Sequence, residues 1–264
     1  MRGSNKMAAS ARGILVGMAA LVLGTQVNAK AEAVEIKALS TIGVQSAIEA
    51  LVPKFEKASG HKVTMVFGLS APLAKRVADG EVVDVYIGNR EGVDGLIKSA
   101  KITTGSDASF ASAGMGVAVR AGAPKPDIST PDALKRTLLA ARSVGYGNPA
   151  AGGAGGIYFA KVLERLEIVE QIKAKAKHPT PGTFVATMLV NGEVELGVQQ
   201  IPELMSVSGI DIVGPFPGDL QATTIFAAGV PASAKEPAVA KALITFLRSS
   251  EAVAVIRAKG LDPR

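Results

Sequence analysis

The sequence predicts an α/β protein built around a parallel sheet. Three observations predict it. Short apolar runs with strand-like alternation are followed by a polar turn and then by a segment of helical periodicity, and this unit repeats along the chain. The turns that follow the strands carry Ser, Thr and Asn, residue types that start helices. The chain has 264 residues, 48% hydrophobic and 20% charged, enough for a large core in one or two domains.

Each element follows from its local pattern. Residues 34–39 (VEIKAL) alternate and read as a strand, with Ser40 and Thr41 at its end. Residues 44–57 have helical spacing and stop near Gly60. Residues 62–67 (KVTMVF) form a second strand, ending in Gly68-Leu69-Ser70. Ser70 is a natural N-cap for a helix over 71–78, and Pro72 suits its first turn. A third strand at 82–87 (VVDVYI) leads through Gly88, Asn89 and Arg90 into another helix. Residues 113–119 (AGMGVAV) are small or apolar throughout and predict a buried strand. The second half repeats the scheme: a strand at 144–146, a glycine-rich loop with its helix, an element at 183–190, and a strand at 194–199. A buried strand at 223–230 and two helices, 237–249 and 252–259, complete the chain.

The first 29 residues read as a separate unit. Arg2, Lys6 and Arg12 precede an apolar run from Gly13 to Gly24, and a small-residue V-x-A site ends at Ala29. This is the plan of a secretory signal peptide, and the run is shorter than the ~20 residues of a transmembrane helix. No cysteine exists for lipidation or for a disulfide. The expectation is a soluble periplasmic protein, not a lipoprotein. Cleavage removes three basic residues and no acidic ones, so the net charge falls from +6 to +3. That mild excess, without a basic run interleaved with aromatics, argues against nucleic acid and is compatible with small anions.

Several chemistries are excluded. The only histidines, His61 and His178, lie in no metal-ligand spacing, so no metal or other cofactor is expected. His61 follows Gly60 at a helix end and is expected to face the helix dipole; His178, in a polar segment, is expected to face solvent. No G-x-S-x-G elbow is present. The stretch GNPAAGGAGGIYFAKVLERL, 147–166, resembles a nucleotide loop only superficially. No Lys follows its glycines, and Tyr158 stands where a dinucleotide fingerprint needs its third glycine. What remains is either a flexible loop before an ordinary helix or a close backbone approach to a ligand. In parallel α/β sheets ligands bind beyond the carboxyl ends of the strands. Ser40, Thr41, Ser70, Asn89 and Arg90 all fall at such ends, as caps, as ligand contacts, or as both.

Four stretches, KALSTIGVQSAIEAL, VFGLSAPLAKRVADGEVVDVYIG, VGYGNPAAGGAGGIYFAKVLERL and VELGVQQIPEL, occur in the order found in periplasmic type II solute-binding proteins, close to the molybdate-binding proteins of ABC importers. The resemblance covers nearly all of residues 34–264. It implies two α/β lobes joined by two crossing strands, at 114–120 and 223–229, with the ligand in the cleft between them. Lobe one would then comprise 30–116 and 227–264, and lobe two 117–226. The resemblance makes Ser40, Ser70 and the backbone donors at Gly155 and Thr183 the oxyanion contacts, with the glycine run, Gly153 included, bringing lobe two's N–H groups to the anion. It also implies a monomeric protein partnered by ABC transporter membrane subunits.

The sequence departs from that pattern. Gln200 stands where the family carries a tyrosine, replacing a phenol by an amide. Gln199 and Gln200 either contact ligand or bond neighbouring backbone. Arg90 reads either as a fork for a carboxylate or as a solvated helix-start residue. These changes favour a larger, carboxylate-bearing anion. Aconitate isomerase is similar to the same binding-protein fold, and that resemblance implies an alternative activity, a proton transfer that moves the double bond of a tricarboxylate. The leading expectation is capture of a small anion for an ABC importer.

Overall fold

The structure, a computed structural model, describes residues 32–180 and 182–264. The expected signal peptide lies outside the described residues.

The first sheet is assembled from β1 (Glu35–Thr41), β2 (Lys62–Gly68) and β3 (Val85–Asn89), paired in parallel in the order β2-β1-β3. They alternate with α1 (Gln45–Ser59), α2 (Ser70–Ala78) and α3 (Arg90–Lys98). α1 ends on Gly60 at φ 77, where a left-handed C-cap favours glycine. Next comes β4 (Ala108–Arg120), which begins earlier than the apolar run at 113–119. Then follow α4 (Pro131–Ala140), β5 (Val144–Tyr146), α5 (Ala154–Arg165), α6 (Val169–Lys173), β6 (Ala176–Lys177) and α7 (Val185–Val190). β7 (Leu196–Gln200), α8 (Ile201–Leu204), β8 (Ile210–Pro215), β9 (Thr223–Gly229), α9 (Pro237–Phe246), α10 (Ser250–Ala258) and β10 (Asp262–Pro263) complete the chain.

The sheet is mixed where a parallel one was expected. Its two ends, β2-β1-β3 and β7-β5-β6, are parallel, but the central pairings of β9 and β4 are antiparallel. The reason is β4. Its residues 108–114 pair with β9, and its residues 115–120 pair with β7 and β8. One strand thus leaves the first sheet and enters the second, and the fold is two-lobed.

Each lobe buries helices on both faces of its sheet, as the period of two along its strands dictates. Ile36, Ala38, Val85 and Ile87 face a core with Phe55, Phe110, Leu243 and Ile256. Their neighbours Leu39 and Tyr86 face a second core with Leu73, Val93 and Leu96. In the other lobe Met115, Val117 and Val119 join Leu134, Phe159 and Val162, while Ala118 faces Met188, Leu189 and Leu204. Strand β8 and helix α4 were not anticipated. The turn-rich segment 121–130 masks the helix that follows, and α4 is capped by Thr130, whose side chain accepts from Ala133 N–H.

Asp84 ties the start of the chain to its end. Its carboxylate accepts from Lys37 N–H at 2.9 Å, Lys235 N–H at 2.8 Å and Glu236 N–H at 3.0 Å. It is buried, so removing it leaves backbone donors without partners. Asp84→Ala is expected to cost about 3 kcal/mol, read as a melting temperature roughly 6–12 °C lower. An unchanged melting temperature would contradict this.

Candidate functional site

A cavity of about 600 Å³ lies between the ends of β1, β2, β5 and β7 and the starts of α2, α5 and α7. Of the ten residues expected at the site, seven line it: Thr41, Ser70, Gly153, Gly155, Thr183, Gln199 and Gln200. Ser40, Asn89 and Arg90 do not. Ser40 is fully buried, and its hydroxyl donates to the Thr41 carbonyl at 3.3 Å. Side chains alternate along β1, so Thr41 takes the cleft and Ser40 the interior. Asn89 occupies the N-cap position of α3 without a side-chain cap bond. The Arg90 guanidinium is engaged by Asp107 at 2.7 Å and Asp94 at 2.6 Å, so it is neither a fork for a ligand nor simply solvated.

The glycine run does bring backbone to the cleft. Residues 149–151 form a 3-10 turn, and Gly152, at φ 83, reverses the chain into α5. The first helical bond runs from Ile157 N–H to Gly153 O at 3.1 Å. The amides of Ala154, Gly155 and Gly156 therefore lead the helix, where the N-terminal donors and dipole favour an anion. Gly156 admits no substituent: a Cβ there would lie 2.3 Å from the Gly147 carbonyl oxygen. A Cβ on Gly155 would meet Gln200 and Met115 at ordinary contact distance, 3.5 and 3.6 Å.

α2 contributes less backbone than expected. Ser70 is its first residue and not its cap, and the Ser70 hydroxyl pairs with that of Thr41 at 2.9 Å. Ala71 N–H donates to Gly152 O at 3.2 Å, a bond that closes one lobe onto the other. Thr183, implied as a backbone donor, has its amide committed to Thr180 O at 3.0 Å, and its hydroxyl donates to the same carbonyl at 2.8 Å, so it contributes an acceptor oxygen and no free donor.

The glutamine pair has two different roles. Gln200 Nε2 donates to Thr224 Oγ1 at 2.8 Å, linking the end of β7 to β9. Gln199 accepts from Val185 N–H at 3.0 Å through Oε1 and donates through Nε2 to Glu203. Glu203 was not singled out from the sequence. It is buried on the cleft wall, and that burial pushes its carboxyl up to about 7 against the opposing effect of Gln199. His178 is exposed, as expected, and it also lines the cleft, its ring set edge-on to Tyr146 and its Nδ1 2.8 Å from the Tyr146 carbonyl oxygen. His61 meets a strand start: its Nδ1 accepts from Val34 N–H at 3.3 Å.

Chemically, the wall offers hydroxyls, amides and helix-start N–H groups, an apolar floor of Phe67, Leu69, Phe184, Val198 and Phe226, and one carboxyl. No Lys or Arg is among the lining residues. Among the described residues no cluster could hold a metal ion, and no helix is long and apolar enough to cross a membrane.

A two-lobed α/β fold with a cleft of neutral donors between the lobes defines a solute-binding protein. The family of bacterial extracellular solute-binding proteins matches residues 36–262, and the chain belongs to it. Aconitate isomerase from Pseudomonas sp is 33% identical over 251 residues, covering 93% of this chain and 94% of that protein. The molybdate-binding protein ModA of Escherichia coli (strain K12) is 21% identical over 244 residues, 92% of this chain and 94% of that one. The periplasmic molybdate-binding protein of Azotobacter vinelandii shares the fold, with a TM-score of 0.71 at 20% identity over 86% of this chain and 98% of that one.

Two outcomes are expected from the site geometry. Gly156→Ala should destabilise the protein, because backbone must move, whereas Gly155→Ala should fold normally and weaken ligand binding; equal melting temperatures would contradict this. For Glu203 the folded carboxyl titrates above its ordinary 4.5. The folded state then holds more protons than the unfolded one between pH 4.5 and about 7, so the group's contribution to stability falls as pH rises through that window. Glu203→Gln should therefore gain on wild type in chemical denaturation as pH goes from 5 to 8. A constant or shrinking difference would show that the carboxyl is not raised.

Proposed function

We propose that this chain is an extracytoplasmic isomerase of the aconitate type, which holds a small tricarboxylate in the cleft and shifts a proton along its three-carbon core. The observation that carries this reading is the cleft wall. A buried carboxyl stands on it, and no Lys or Arg lines the cleft. A protein that only captures an anion has no use for a buried acid there, since like charge weakens binding. A proton-transfer site needs such a group. The cavity of about 600 Å³ is in the range of organic ligand sites and larger than a tetrahedral oxyanion requires. The relative named aconitate isomerase matches over 93% of the chain at 33% identity, above the 21% and 24% of the molybdate-binding relatives.

Carboxylate oxygens would sit on the leading amides of α5 and on the hydroxyl pair of Thr41 and Ser70. Lobe one would comprise 30–116 and 227–264, and lobe two 117–226, closing over the ligand as a monomer. A second reading is capture of an anion for an ABC importer. It is favoured by the all-neutral donor set of the cleft and by the bond from Ala71 N–H to Gly152 O, the kind of closure a membrane partner reads.

The test is to incubate residues 30–264 with cis- or trans-aconitate and follow the olefinic and methylene signals by proton NMR. Either isomer is expected to convert to the other. A ligand at ~100 times its dissociation constant should also raise stability by about 2.7 kcal/mol. Stabilisation without conversion would replace the isomerase by the capture reading. A response to molybdate alone would make the ligand an oxyanion.

A further inference from the structure

Behind the cleft lies a second cavity of about 460 Å³. It is lined by Gln45, Ser46 and Glu49 of α1, Ser206 after α8, and Lys259 after α10. Glu49 and Met205 on its rim are exposed, so it reaches the surface. The two cavities share Ile42, Gln45, Phe184 and Glu203. Glu203 is therefore part of the partition between the ligand cleft and a polar, solvent-reaching space. Gln45, also shared, donates to Glu49 at 2.8 Å on the far side.

Resting on the isomerase reading, we propose that Glu203 is the catalytic acid–base of this cleft and that the second cavity is where its proton exchanges with water. The geometry supplies the requirements. One carboxylate oxygen, Oε2, is fixed by Gln199 Nε2, and Gln199 is itself anchored by Val185 N–H at 3.0 Å. The other oxygen has no such clamp from Gln199 and can serve the proton. Pro202 precedes Glu203 in the first turn of α8, which holds the backbone rigid. The carboxyl titrates near neutrality, where one group can both take and return a proton.

The step balances without a co-reactant. The Glu203 carboxylate takes a proton from the methylene carbon of the substrate. The C–H electron pair becomes the new C=C bond, and the old π pair passes to the far carbon. That carbon then takes a proton from the Glu203 carboxyl, which returns to carboxylate. Nothing is oxidised or reduced. Charge developing on the terminal carboxylates is met by the amides of Ala154, Gly155 and Gly156.

The charged or titratable groups facing Glu203 are Glu49 and Lys259 across the second cavity and His178 across the cleft. The rate should rise with pH through about 7, as the base form appears, in wild type and equally in Glu49→Gln and Lys259→Met.

The experiment compares wild type, Glu203→Gln and Glu203→Asp in three readouts. Calorimetry measures trans-aconitate binding, NMR measures conversion, and conversion in D2O measures solvent label in the product. Glu203→Gln is expected to bind within about threefold of wild type, since the amide keeps the shape and the bond to Gln199. Its conversion should fall about 10²–10⁴-fold, with Glu203→Asp in between. Wild-type product should carry deuterium at the newly protonated carbon. If wild type converts and Glu203→Gln converts within tenfold of it, the assignment of the base is overturned. If the product carries no deuterium, the exchange route is overturned. If wild type binds but does not convert, the isomerase reading itself falls, a result separable from both.

Discussion

Both halves of the molecule hang on one strand. β4 gives its first seven residues to one sheet and its last six to the other, so the register of each lobe is set against the same backbone. A slip of one residue on either side would turn every side chain of that half to the wrong face. The cleft is the space this strand leaves between the two parallel ends, and the turns after β1, β2, β5 and β7 line it. Gln200 adds a second tie at the same level by reaching from β7 to Thr224 on β9. The contact is close: a Cβ on Gly43 would lie 2.8 Å from the Gln200 amide oxygen and from the Phe226 ring. This explains a glycine just after β1.

The electrostatics of the cleft follow from what lines it. Neutral donors can replace the water around an anion without the desolvation penalty of a buried cation. The leading amides of α5 do this from a fixed position because Gly156 lets the helix start against the Gly147 carbonyl. Against this background Glu203 is the exception. Glu81, at the surface, is pulled down to about 2 by Arg76 and Lys37. Glu203 has only an amide for a partner, so burial wins and the carboxyl is held near neutrality. Two carboxylates of one chain are thus driven in opposite directions by their surroundings.

Much of this was legible in the sequence, and the parts that were not have physical reasons. The strand–turn–helix units, Thr41 and Ser70 at strand ends, and the glycine approach to the cleft are local patterns, and the structure keeps them. Ser40, Asn89 and Arg90 also fall near strand ends yet miss the cavity. Strand alternation turns Ser40 inward, and two carboxylates claim Arg90, one of them 17 residues away. The antiparallel centre of the sheet was hidden because strand direction is a tertiary property. Glu203 was hidden for a similar reason. In Gln-Gln-Ile-Pro-Glu a glutamate in the first turn of a helix reads as an ordinary dipole partner. Its burial depends on residues of α1, of α10 and of the start of α7 coming together from distant stretches. The one local signal was Gln199 four residues earlier, an amide placed where it can clamp the acid.

The central claim is that a carboxyl facing the ligand is held near neutrality so that it can carry a proton. Carbon-13 NMR of the Glu203 side-chain carboxyl across pH, assigned by its loss in Glu203→Gln, measures this directly. The account expects a midpoint at about 7 in the free protein, moving upward when trans-aconitate brings negative charge into the cleft. A midpoint at the ordinary 4.5, unmoved by the ligand, would contradict it.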